Sequence, residues 1–239
     1  MEKVIFMDLG LIEYEEAWNI QESLLKEKVE IKIYNRKIDK THQEPLTQSH
    51  HLLFCEHYPV YTLGKTGTVN HLLMEPKIME AQGFKFFKIN RGGDITYHGP
   101  GQLVGYPIFD LDFFFTDIHK YIRLLEEAVI RTLNHYGLSG IREPGYTGVW
   151  LPADAKNKLR KICAIGVHLS RWVTMHGFAF NINTNLSHFS NIIPCGIQDV
   201  NRGVTSLKNE LGRSIPLDEV KSILLQYMQE IFSFQTEKF

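Results

Sequence analysis

Hydrophobic residues along the chain recur with two spacings: short continuous runs indicate strands, and a spacing of three to four residues indicates amphipathic helices. We expect strands over residues 4–7, 52–56, 60–64, 84–89, 162–168 and 178–182. We expect helices over residues 14–28, 76–82, 117–136 and 216–231. Because strands and helices are interspersed, the pattern predicts an α/β or α+β fold.

Glycine and proline mark the boundaries of several elements. Gly83 and Gly137 follow the second and third predicted helices, where glycine commonly ends a helix in the left-handed conformation. Pro216 stands where the first turn of the last helix is expected. The polar stretch 35–51, which contains Pro45, is expected to be a loop.

The composition is that of a folded protein and excludes several classes of partner. The 239 residues are 44% hydrophobic and 22% charged, a balance typical of globular proteins. The 26 basic and 27 acidic side chains leave a net charge of −1, so no overall basic field favours nucleic acid. No apolar run approaches the roughly 18 residues of a membrane helix, and the N-terminus lacks the apolar stretch of a secretory signal. We therefore expect neither nucleic acid nor a membrane as a partner.

Cysteine and histidine spacings argue against disulfide and metal chemistry. The three cysteines, Cys55, Cys163 and Cys195, are odd in number and form no Cys-x-x-Cys pair. The 11 histidines show neither the His-x-x-x-His nor the His-Glu-x-x-His spacing of zinc sites. We expect no metal site and a reduced, cytoplasmic compartment.

The stretch with the most candidate chemistry is the glycine-rich segment 91–102. Four glycines among its 12 residues allow the backbone to approach a ligand closely or to adopt positive φ angles. The side chains that offer polar contacts beside this backbone are Arg91, Thr96, Tyr97, His98 and Gln102. The segment is neither a Walker phosphate loop nor a Gly-x-Gly-x-x-Gly dinucleotide motif. A hairpin with ordinary glycine turns is the alternative.

Two further positions suit nucleophilic or acid–base chemistry. Pro194 and Gly196 flank Cys195, so proline restricts the approach to the thiol and glycine leaves its far side open. A turn that contains a buried cysteine explains this pattern equally well. Lys161 directly precedes the predicted strand 162–168, and a lysine at a strand end is commonly solvated. If this segment is a strand, Lys161 and Cys163 point to the same face, which makes Cys163 a rival nucleophile.

Taken together, six short segments resemble the lipoyl(octanoyl) transferase family. They are residues 56–64 (EHYPVYTLG), 91–102 (RGGDITYHGPGQ), 147–150 (TGVW), 161–167 (KICAIGV), 176–183 (HGFAFNIN) and 194–196 (PCG). Each segment is a weak signal by itself. The ordered set spans residues 56 to 206, nearly two-thirds of the chain, and is highly specific.

This resemblance implies an α/β fold with a large mixed β-sheet, a smaller sheet and flanking helices, similar to the catalytic domain of biotin protein ligases and lipoate ligases. Residues 1–239 are then a single octanoyltransferase catalytic domain. The implied reaction moves an octanoyl group from octanoyl-acyl carrier protein to the target lysine of lipoyl domains, the first step of endogenous protein lipoylation. The implied recipients are lipoyl domains of 2-oxoacid dehydrogenase complexes and the glycine cleavage H protein, and we expect a monomer.

The matching motifs also imply roles for individual residues. Cys195 is the acyl-thioester nucleophile, and Lys161 is its partner, which favours the thiolate and exchanges protons with the leaving thiol and the incoming amine. The residues implied in binding the acyl substrate are Arg91, Gly92, Gly93, Asp94, Ile95, Thr96, Tyr97, His98, Ala164, Ile165, Gly166, Gly177, Phe178 and Ala179. Because the donor is already a thioester, we expect neither ATP nor another cofactor.

Two other hypotheses share parts of this pattern. An ATP-dependent lipoate or biotin ligase of the same fold needs a lysine but no nucleophilic cysteine, so segments 97–102 and 194–196 argue against it. A non-catalytic binder of acyl groups or lipoyl domains keeps the glycine-rich pocket but needs neither Lys161 nor Cys195. The lysine-rich stretch 156–161 is expected either to dock acidic partner proteins or to form a solvated loop.

Overall fold

The structure, a computed structural model, describes residues 1–38, 44–193 and 202–238. Its α-helices are α1 (Tyr14–Ile38), α2 (Pro76–Ala81), α3 (Ile118–His135), α4 (Leu207–Leu211) and α5 (Leu217–Phe232). Its strands are β1 (Glu2–Ile12), β2 (His50–His57), β3 (Val60–Leu63), β4 (Lys85–Lys88), β5 (Ile95–His98), β6 (Gln102–Ile108), β7 (Ile141–Glu143), β8 (Tyr146–Leu151), β9 (Leu159–Ser170), β10 (Val173–Asn181), β11 (Arg202–Val204) and β12 (Phe234–Lys238). Short 3₁₀ helices lie at Val69–His71, Leu111–Phe113 and Leu186–Asn191. Cys195 and the rest of segment 194–201 lie outside the described residues.

The strands form two sheets in the described part of the chain. The large sheet has nine strands in the order β12-β1-β2-β6-β10-β9-β8-β7, with β11 paired to β9. Strands β12, β1 and β2 run parallel, whereas the pairs from β2 through β8 are antiparallel. The small sheet has the order β4-β3-β5. This architecture confirms the predicted large mixed sheet, smaller sheet and flanking helices.

Helices cover both faces of the large sheet. On one face α3 and α5 bury the main core, which includes Phe54, Phe109, Tyr121 and Phe180. On the other face α1 covers a second core built on β2, β6 and β10. A third, smaller core lies against the small sheet. The large sheet therefore has a hydrophobic core on each of its two faces, and the small sheet has a separate core.

Capping residues begin and end the helices where the local sequence predicts. The Asp117 carboxylate accepts a hydrogen bond from the Lys120 amide at 3.0 Å and starts α3. Gly137 follows α3 with a φ of +74°, and Gly83 follows α2 with a φ of +73°. Pro216 is the N-cap residue of α5. These local signals located the helix ends to within one residue.

The first helix is longer than its hydrophobic pattern predicts. Helix α1 runs to Ile38 and β2 starts at His50, so the predicted loop 35–51 is wrong at both ends. Hydrophobic spacing fails here because the buried face of α1 carries Lys28 and Lys32. The ammonium groups of Lys28 and Lys32 are hydrogen-bonded to His51 and Asp110, and these partners make the burial of both lysines possible.

None of the helices formed by residues 1–38, 44–193 and 202–238 is long and apolar enough to span a membrane. The longest, α1, has 25 residues and carries charged side chains along its length.

Candidate active site

A cavity of about 800 Å³ lies between the small sheet and strands β8, β9 and β10 of the large sheet. Its wall includes most of the glycine-rich segment, the small-residue segments of β9 and β10, and part of the 3₁₀ helix Leu186–Asn191. Strand β8 contributes Tyr146 and Trp150, and β9 contributes Lys161. The cavity thus brings together segments that are far apart in the chain and that the sequence singled out one by one.

Most of the residues predicted to contact the acyl substrate line this cavity. They are Arg91, Gly92, Gly93, Asp94, Ile95, Thr96, His98, Ala164, Ile165, Gly166, Gly177, Phe178 and Ala179, and the predicted partner Lys161 lines it as well. Tyr97 does not, because alternation along β5 turns its side chain into the core of the small sheet. There its hydroxyl is 2.7 Å from Nδ1 of His188. Among the described candidates, the structure brings all but Tyr97 to the cavity wall.

Glycine residues on both sides of one contact let the loop that contains Gly92 and Gly93 lie directly against β9. The Gly92 amide donates a hydrogen bond to the Val167 carbonyl at 2.9 Å. A Cβ atom at Gly166 would lie 2.8 Å from the Gly92 carbonyl oxygen, closer than side-chain carbons approach. Gly93 has a φ of +85°, which glycine adopts without strain. A larger residue at Gly166 would therefore push the loop away from the sheet, and one at Gly93 would strain the backbone.

Arg91 is a buried cation in the cavity wall. Its guanidinium donates hydrogen bonds to the Thr62 carbonyl at 2.7 Å and to the Thr62 hydroxyl at 3.0 Å. A further bond reaches the Gly92 carbonyl at 3.0 Å. These bonds tie the glycine-rich segment to β3 of the small sheet. The side chain therefore adds a fixed positive charge to the wall of the site.

Two buried histidines of the wall are held neutral. Burial is the main cause that lowers the pKa of His98 well below its ordinary value and the pKa of His176 to about 3. Nδ1 of His98 donates to the Gln102 side-chain oxygen, and Nε2 of His176 donates to the Asn90 side-chain oxygen, both at 2.8 Å. His176 also has a φ of +60°, a conformation that is uncommon outside glycine. The sequence analysis assigned His176 no role. A single histidine at the edge of a predicted strand does not indicate that its φ angle will be positive.

The small-residue segments of β9 and β10 lie side by side in the large sheet. The two strands pair antiparallel, and the facing pairs are Gly177 with Gly166, Phe178 with Ile165, and Ala179 with Ala164. Side-chain alternation turns Phe178 and Ile165 toward the main core, whereas Ala179 packs in the second core on the opposite face of the sheet. Residues of both segments line the cavity.

A β-bulge decides on which side of β9 the Lys161 side chain lies. Strand β8 pairs Val149 with Cys163 and Trp150 with Lys161, so Ile162 is an extra residue between the two pairs. The strand alternation shifts there. As a result Lys161 lines the cavity, whereas Cys163 is fully buried in the main core, where burial raises the pKa of its thiol. The prediction that Lys161 and Cys163 share a face is wrong, and Cys163 is not placed as a rival nucleophile.

Two aromatic residues of β8 belong to the site although the sequence assigned them no role. Nζ of Lys161 lies 4.7 Å from the centre of the Trp150 ring, and the Arg202 guanidinium lies 4.3 Å from the centre of the Tyr146 ring. The two rings meet edge to face with their centres 6.0 Å apart. Segment 147–150 did stand out in the resemblance, but a motif does not show which residue its aromatic ring will touch.

The described residues on either side of segment 194–201 are anchored beside the cavity. On the N-terminal side, the Ile193 amide donates to the His71 carbonyl at 2.8 Å, and the preceding 3₁₀ helix lines the cavity. On the C-terminal side, β11 pairs with β9 so that Val204 lies opposite Lys161. Both flanks of the segment that contains the predicted nucleophile are thus held next to Lys161 and the small sheet.

The two described cysteines are free and buried. Burial raises the pKa of the Cys55 thiol, and its sulfur lies 3.5 Å from Nε2 of His57. Neither Cys55 nor Cys163 lines the cavity. Within residues 1–38, 44–193 and 202–238, therefore, no thiol faces the site.

Sequence comparison finds similar proteins over nearly the whole chain. The model of the lipoyl protein ligase A/B catalytic domain matches residues 13–229. An octanoyltransferase of Christiangramia forsetii is 56% identical over 226 residues, which cover 94% of this chain and 94% of that protein. An octanoyltransferase of Flavobacterium johnsoniae is 54% identical over 231 residues, which cover 96% of this chain and 97% of that protein.

Solved structures with the same fold come from more distant proteins. A bipartite lipoate protein ligase from Thermoplasma acidophilum matches with a TM-score of 0.69 and 19% identity, covering 100% of this chain and 87% of that chain. A biotin protein ligase from Aquifex aeolicus, in complex with biotin and ATP, matches with a TM-score of 0.52 and 14% identity, covering 98% of this chain and 71% of that chain. At these identities the likeness concerns the fold alone. It confirms the predicted similarity to the catalytic domain of lipoate and biotin ligases.

Proposed function

The chain belongs to the family of lipoyl protein ligase A/B catalytic domains, and from this premise we propose the route by which it transfers octanoyl groups in protein lipoylation. The donor is the octanoyl thioester of acyl carrier protein, the acceptor is a lysine of a lipoyl domain, and Cys195 carries the acyl group between them. Octanoyl transfer itself is the activity of this chain, since relatives that are 56% and 54% identical over nearly its full length are octanoyltransferases.

The position of Lys161 is the observation that carries the proposal. Its ammonium lines a cavity of about 800 Å³, and the paired segments 164–166 and 177–179 form a second part of the same wall. An acyl chain and a reacting carbonyl need different surroundings, one apolar and one charged. This cavity offers both, and of the residues that flank the segment with Cys195, Val204 pairs with Lys161 and Ile193 is hydrogen-bonded to His71.

The apolar part of the wall supplies the affinity for the acyl chain. Carbon atoms of Phe178, Ile165, Ala164 and Ala179 line the cavity, and Gly166 and Gly177 add no side chain to its wall. Burying the roughly seven apolar carbons of an octanoyl group at ~0.8 kcal/mol each contributes about 5 kcal/mol before entropic costs. That gain is enough to hold the chain in register while the carbonyl reacts.

In the first half-reaction the Cys195 thiolate attacks the carbonyl carbon of the donor thioester. The new carbon–sulfur bond forms as the bond to the carrier's pantetheine sulfur breaks, and the pantetheine thiolate takes a proton from the Lys161 ammonium. The positive charge of Lys161 also favours the thiolate form of Cys195 before the attack. The step leaves octanoyl-Cys195 and a neutral amine on Lys161.

In the second half-reaction the amine of the target lysine attacks octanoyl-Cys195. The amide bond forms as the bond to the Cys195 sulfur breaks, and Lys161 accepts the proton that the attacking amine loses. The enzyme returns to the thiolate and ammonium pair with which it began. Because the intermediate is covalent and the two substrates never need to be bound together, the kinetics are expected to be ping-pong.

The remaining features of the proposal follow the same chemistry. Residues 1–239 act as one catalytic domain and as a monomer in the cytoplasm, where a free Cys195 stays reduced. Lipoyl domains of 2-oxoacid dehydrogenase complexes and the glycine cleavage H protein are the proposed recipients. Tyr97 keeps a supporting role only, since its hydroxyl is engaged with His188 away from the cavity.

The decisive experiment measures the mass of the intact protein after exposure to octanoyl-acyl carrier protein. The wild-type protein is expected to gain one octanoyl group, and peptide mapping should locate it on Cys195. A Cys163→Ser variant serves as the matched control and should still be acylated, because Cys163 is buried in the core. Acylation of Cys195→Ser at the wild-type rate, or an adduct on Cys163, would contradict the proposal.

Free octanoate with ATP separates this route from that of an ATP-dependent ligase of the same fold. We expect no transfer to a lipoyl domain from free octanoate and ATP, and rapid transfer from octanoyl-acyl carrier protein. Efficient transfer in the first assay that survives Cys195→Ser would show a ligase.

A further inference from the structure

Strand β8 presents two cation–aromatic contacts to the cavity. Lys161 lies over Trp150 and Arg202 lies over Tyr146, at 4.7 Å and 4.3 Å from the ring centres. Both distances are within the ~6 Å at which the electron-rich face of an aromatic ring attracts a cation. Arg202 also forms an ion pair with Glu143 at 2.9 Å, which ties it to β7. Of the two cations, Lys161 is the one with a proposed part in proton transfer.

The Trp150 ring is a rigid surface from which water is excluded. Its side chain is 2% exposed, and its neighbours Val149 and Leu151 point to the opposite face, into the main core. Tryptophan has the strongest cation–π interaction of the aromatic side chains, and the interaction gains strength where water is removed. A lysine side chain has four flexible methylenes, so each contact with its ammonium narrows the positions that the ammonium occupies.

The local fold holds Trp150 directly opposite Lys161. Gly148 has a φ of +113°, and its amide donates to the buried Glu126 carboxylate of α3 at 3.0 Å. Arg142 and Arg123 bind the same carboxylate at 3.1 Å and 2.7 Å. The bulge that follows makes Trp150 the pairing partner of Lys161. Helix α3, β8 and β9 thus jointly determine where the ring and the ammonium meet.

We propose that Trp150 is a positioning residue for Lys161: its indole face holds the ammonium at the reacting end of the cavity in the first half-reaction and attracts the ammonium that forms again in the second. This role rests on the proposed function, because it acts only through Lys161. Before the first attack, the attraction of the ring keeps the cation in place for its interaction with the thiolate. In the second step the ring favours the charged form that Lys161 takes as it accepts a proton from the attacking amine.

The sharpest test changes the electrons of the ring and leaves its shape nearly unchanged. Tryptophans carrying one, two and three fluorine atoms are incorporated at position 150 only, because each fluorine weakens the attraction of the ring for a cation. Single-turnover rates of acylation and of transfer are then measured near neutral pH. We expect the logarithm of both rates to fall step by step with fluorination, by about 5- to 30-fold over the series.

Two substitutions extend the series, with KM for octanoyl-acyl carrier protein measured beside kcat. Trp150→Phe keeps an aromatic face and should retain an intermediate kcat, whereas Trp150→Leu keeps apolar bulk without that face and should be slower. Both should lower kcat by a larger factor than they raise KM. The same fluorotryptophans at Trp172, which is exposed and lies outside the cavity wall, are the matched control and should have no effect.

A Lys161→Ala background completes the test, because fluorination of Trp150 should then change neither rate. Rates that stay constant across the fluorine series in the wild-type background would overturn the proposal and leave Trp150 as an apolar wall residue. A fluorine dependence that persists without Lys161 would overturn it as well. The octanoyl adduct on Cys195 is measured separately, so its absence would refute the proposed function, and its presence with constant rates would refute only the role of Trp150.

Discussion

The molecule places lysines in two interior regions that treat the charge in opposite ways. Behind the sheet, Lys32 of α1 is 7% exposed and forms ion pairs with Asp110 at 2.6 Å and Asp112 at 2.7 Å. At the cavity, Lys161 lies over the Trp150 ring and borders about 800 Å³ of space. In the first region the lysine links helix α1 to the residues that follow β6. In the second region the lysine borders a cavity.

The comparison teaches that burial alone does not mark a functional lysine. Two carboxylates hold the Lys32 ammonium at hydrogen-bond distance in the interior. An aromatic face attracts the Lys161 ammonium by its electron density at the edge of a cavity. The type of side chain that contacts the ammonium distinguishes a structural lysine from a candidate catalytic lysine better than the extent of its burial does.

The largest expected effect is the loss of transfer when Lys161 is replaced. Lys161→Ala should slow the second half-reaction by about 10²- to 10⁴-fold, the usual contribution of a positioned general acid–base group. Its free energy of unfolding should change by less than ~1 kcal/mol, because the side chain is only half-buried. Single-turnover rates and urea unfolding measure the two quantities.

Lys161→Arg tests whether the proton or only the charge matters. Arginine keeps the positive charge but does not release a proton near neutral pH. Acylation should therefore be retained better than transfer in this variant. If neither step slows, Lys161 acts through its charge alone, and the proton transfers proposed above are wrong.

Replacing Lys32 should have the opposite signature. Lys32→Met leaves the Asp110 carboxylate buried without its cation, which typically costs about 3–5 kcal/mol of unfolding free energy. The transfer rate per folded molecule should remain that of the wild type. Lys26→Met is the matched control, since Lys26 is exposed and its pair with Glu30 spans 3.9 Å. A Lys32→Met protein as stable as the control would contradict the structural role.

A pH titration of stability sharpens the comparison further through Lys28. Burial lowers the pKa of Lys28 to about 8, and the groups that face its ammonium are His51 at 3.0 Å, His50, Glu27 and Asp110. Between pH 8 and about 10.5 the unfolded chain therefore binds more protons at Lys28 than the folded chain does. The free energy of unfolding contributed by Lys28 must rise with pH across that window.

The measurement compares wild type with Lys28→Met, so that the titration of other groups cancels. From pH 8 to about pH 9.5 the wild type should gain up to ~2 kcal/mol relative to the variant. Urea unfolding at several pH values gives the difference. A constant or falling difference would show that Lys28 keeps its proton in the folded interior at these pH values.

The smallest expected effect concerns lysines that are neither buried nor at the cavity. Lys156 and Lys158 are exposed, whereas the charge of Arg160 is already balanced by Glu210 at 2.7 Å and Asp154 at 3.3 Å. If the stretch docks acidic partners, Lys156→Glu with Lys158→Glu should raise KM for them about 2- to 5-fold at low salt and weaken its salt dependence. The same changes at Lys26 and Lys37 of α1 serve as the control. An unchanged KM at low salt would favour a solvated loop.

Much of the fold and most of the site were predictable because they depend on local pattern. Hydrophobic spacing within a few consecutive helical turns was enough to predict the helices over 117–136 and 216–231. Glycine and proline marked their boundaries. The glycine-rich segment stood out because backbone approach requires glycine wherever it occurs. The resemblance then named the segments that meet at the cavity, although it did not show that they meet.

The predictions that failed concern features that depend on a partner from elsewhere in the chain. Helix α1 was predicted to end at Lys28, because the buried position that follows is Lys32, which looks exposed until Asp110 is placed beside it. The contact between Trp150 and Lys161 was missed for the same reason, since an aromatic residue in a strand most often packs in a core.

The amino-acid sequence by itself determined the bounds of α2, α3 and α5 to within one residue, the class of fold, the family and the set of candidate site residues, because each of these is written in short spacings or in motifs. Only the tertiary structure decided the side of β9 on which Lys161 lies. A regular strand would have placed Lys161 with Cys163, and the single extra residue at Ile162 reverses that choice. Next to this bulge, the Gly148 amide of β8 is bound to the buried Glu126 of α3, and side-chain alternation makes the face of each later residue depend on the register.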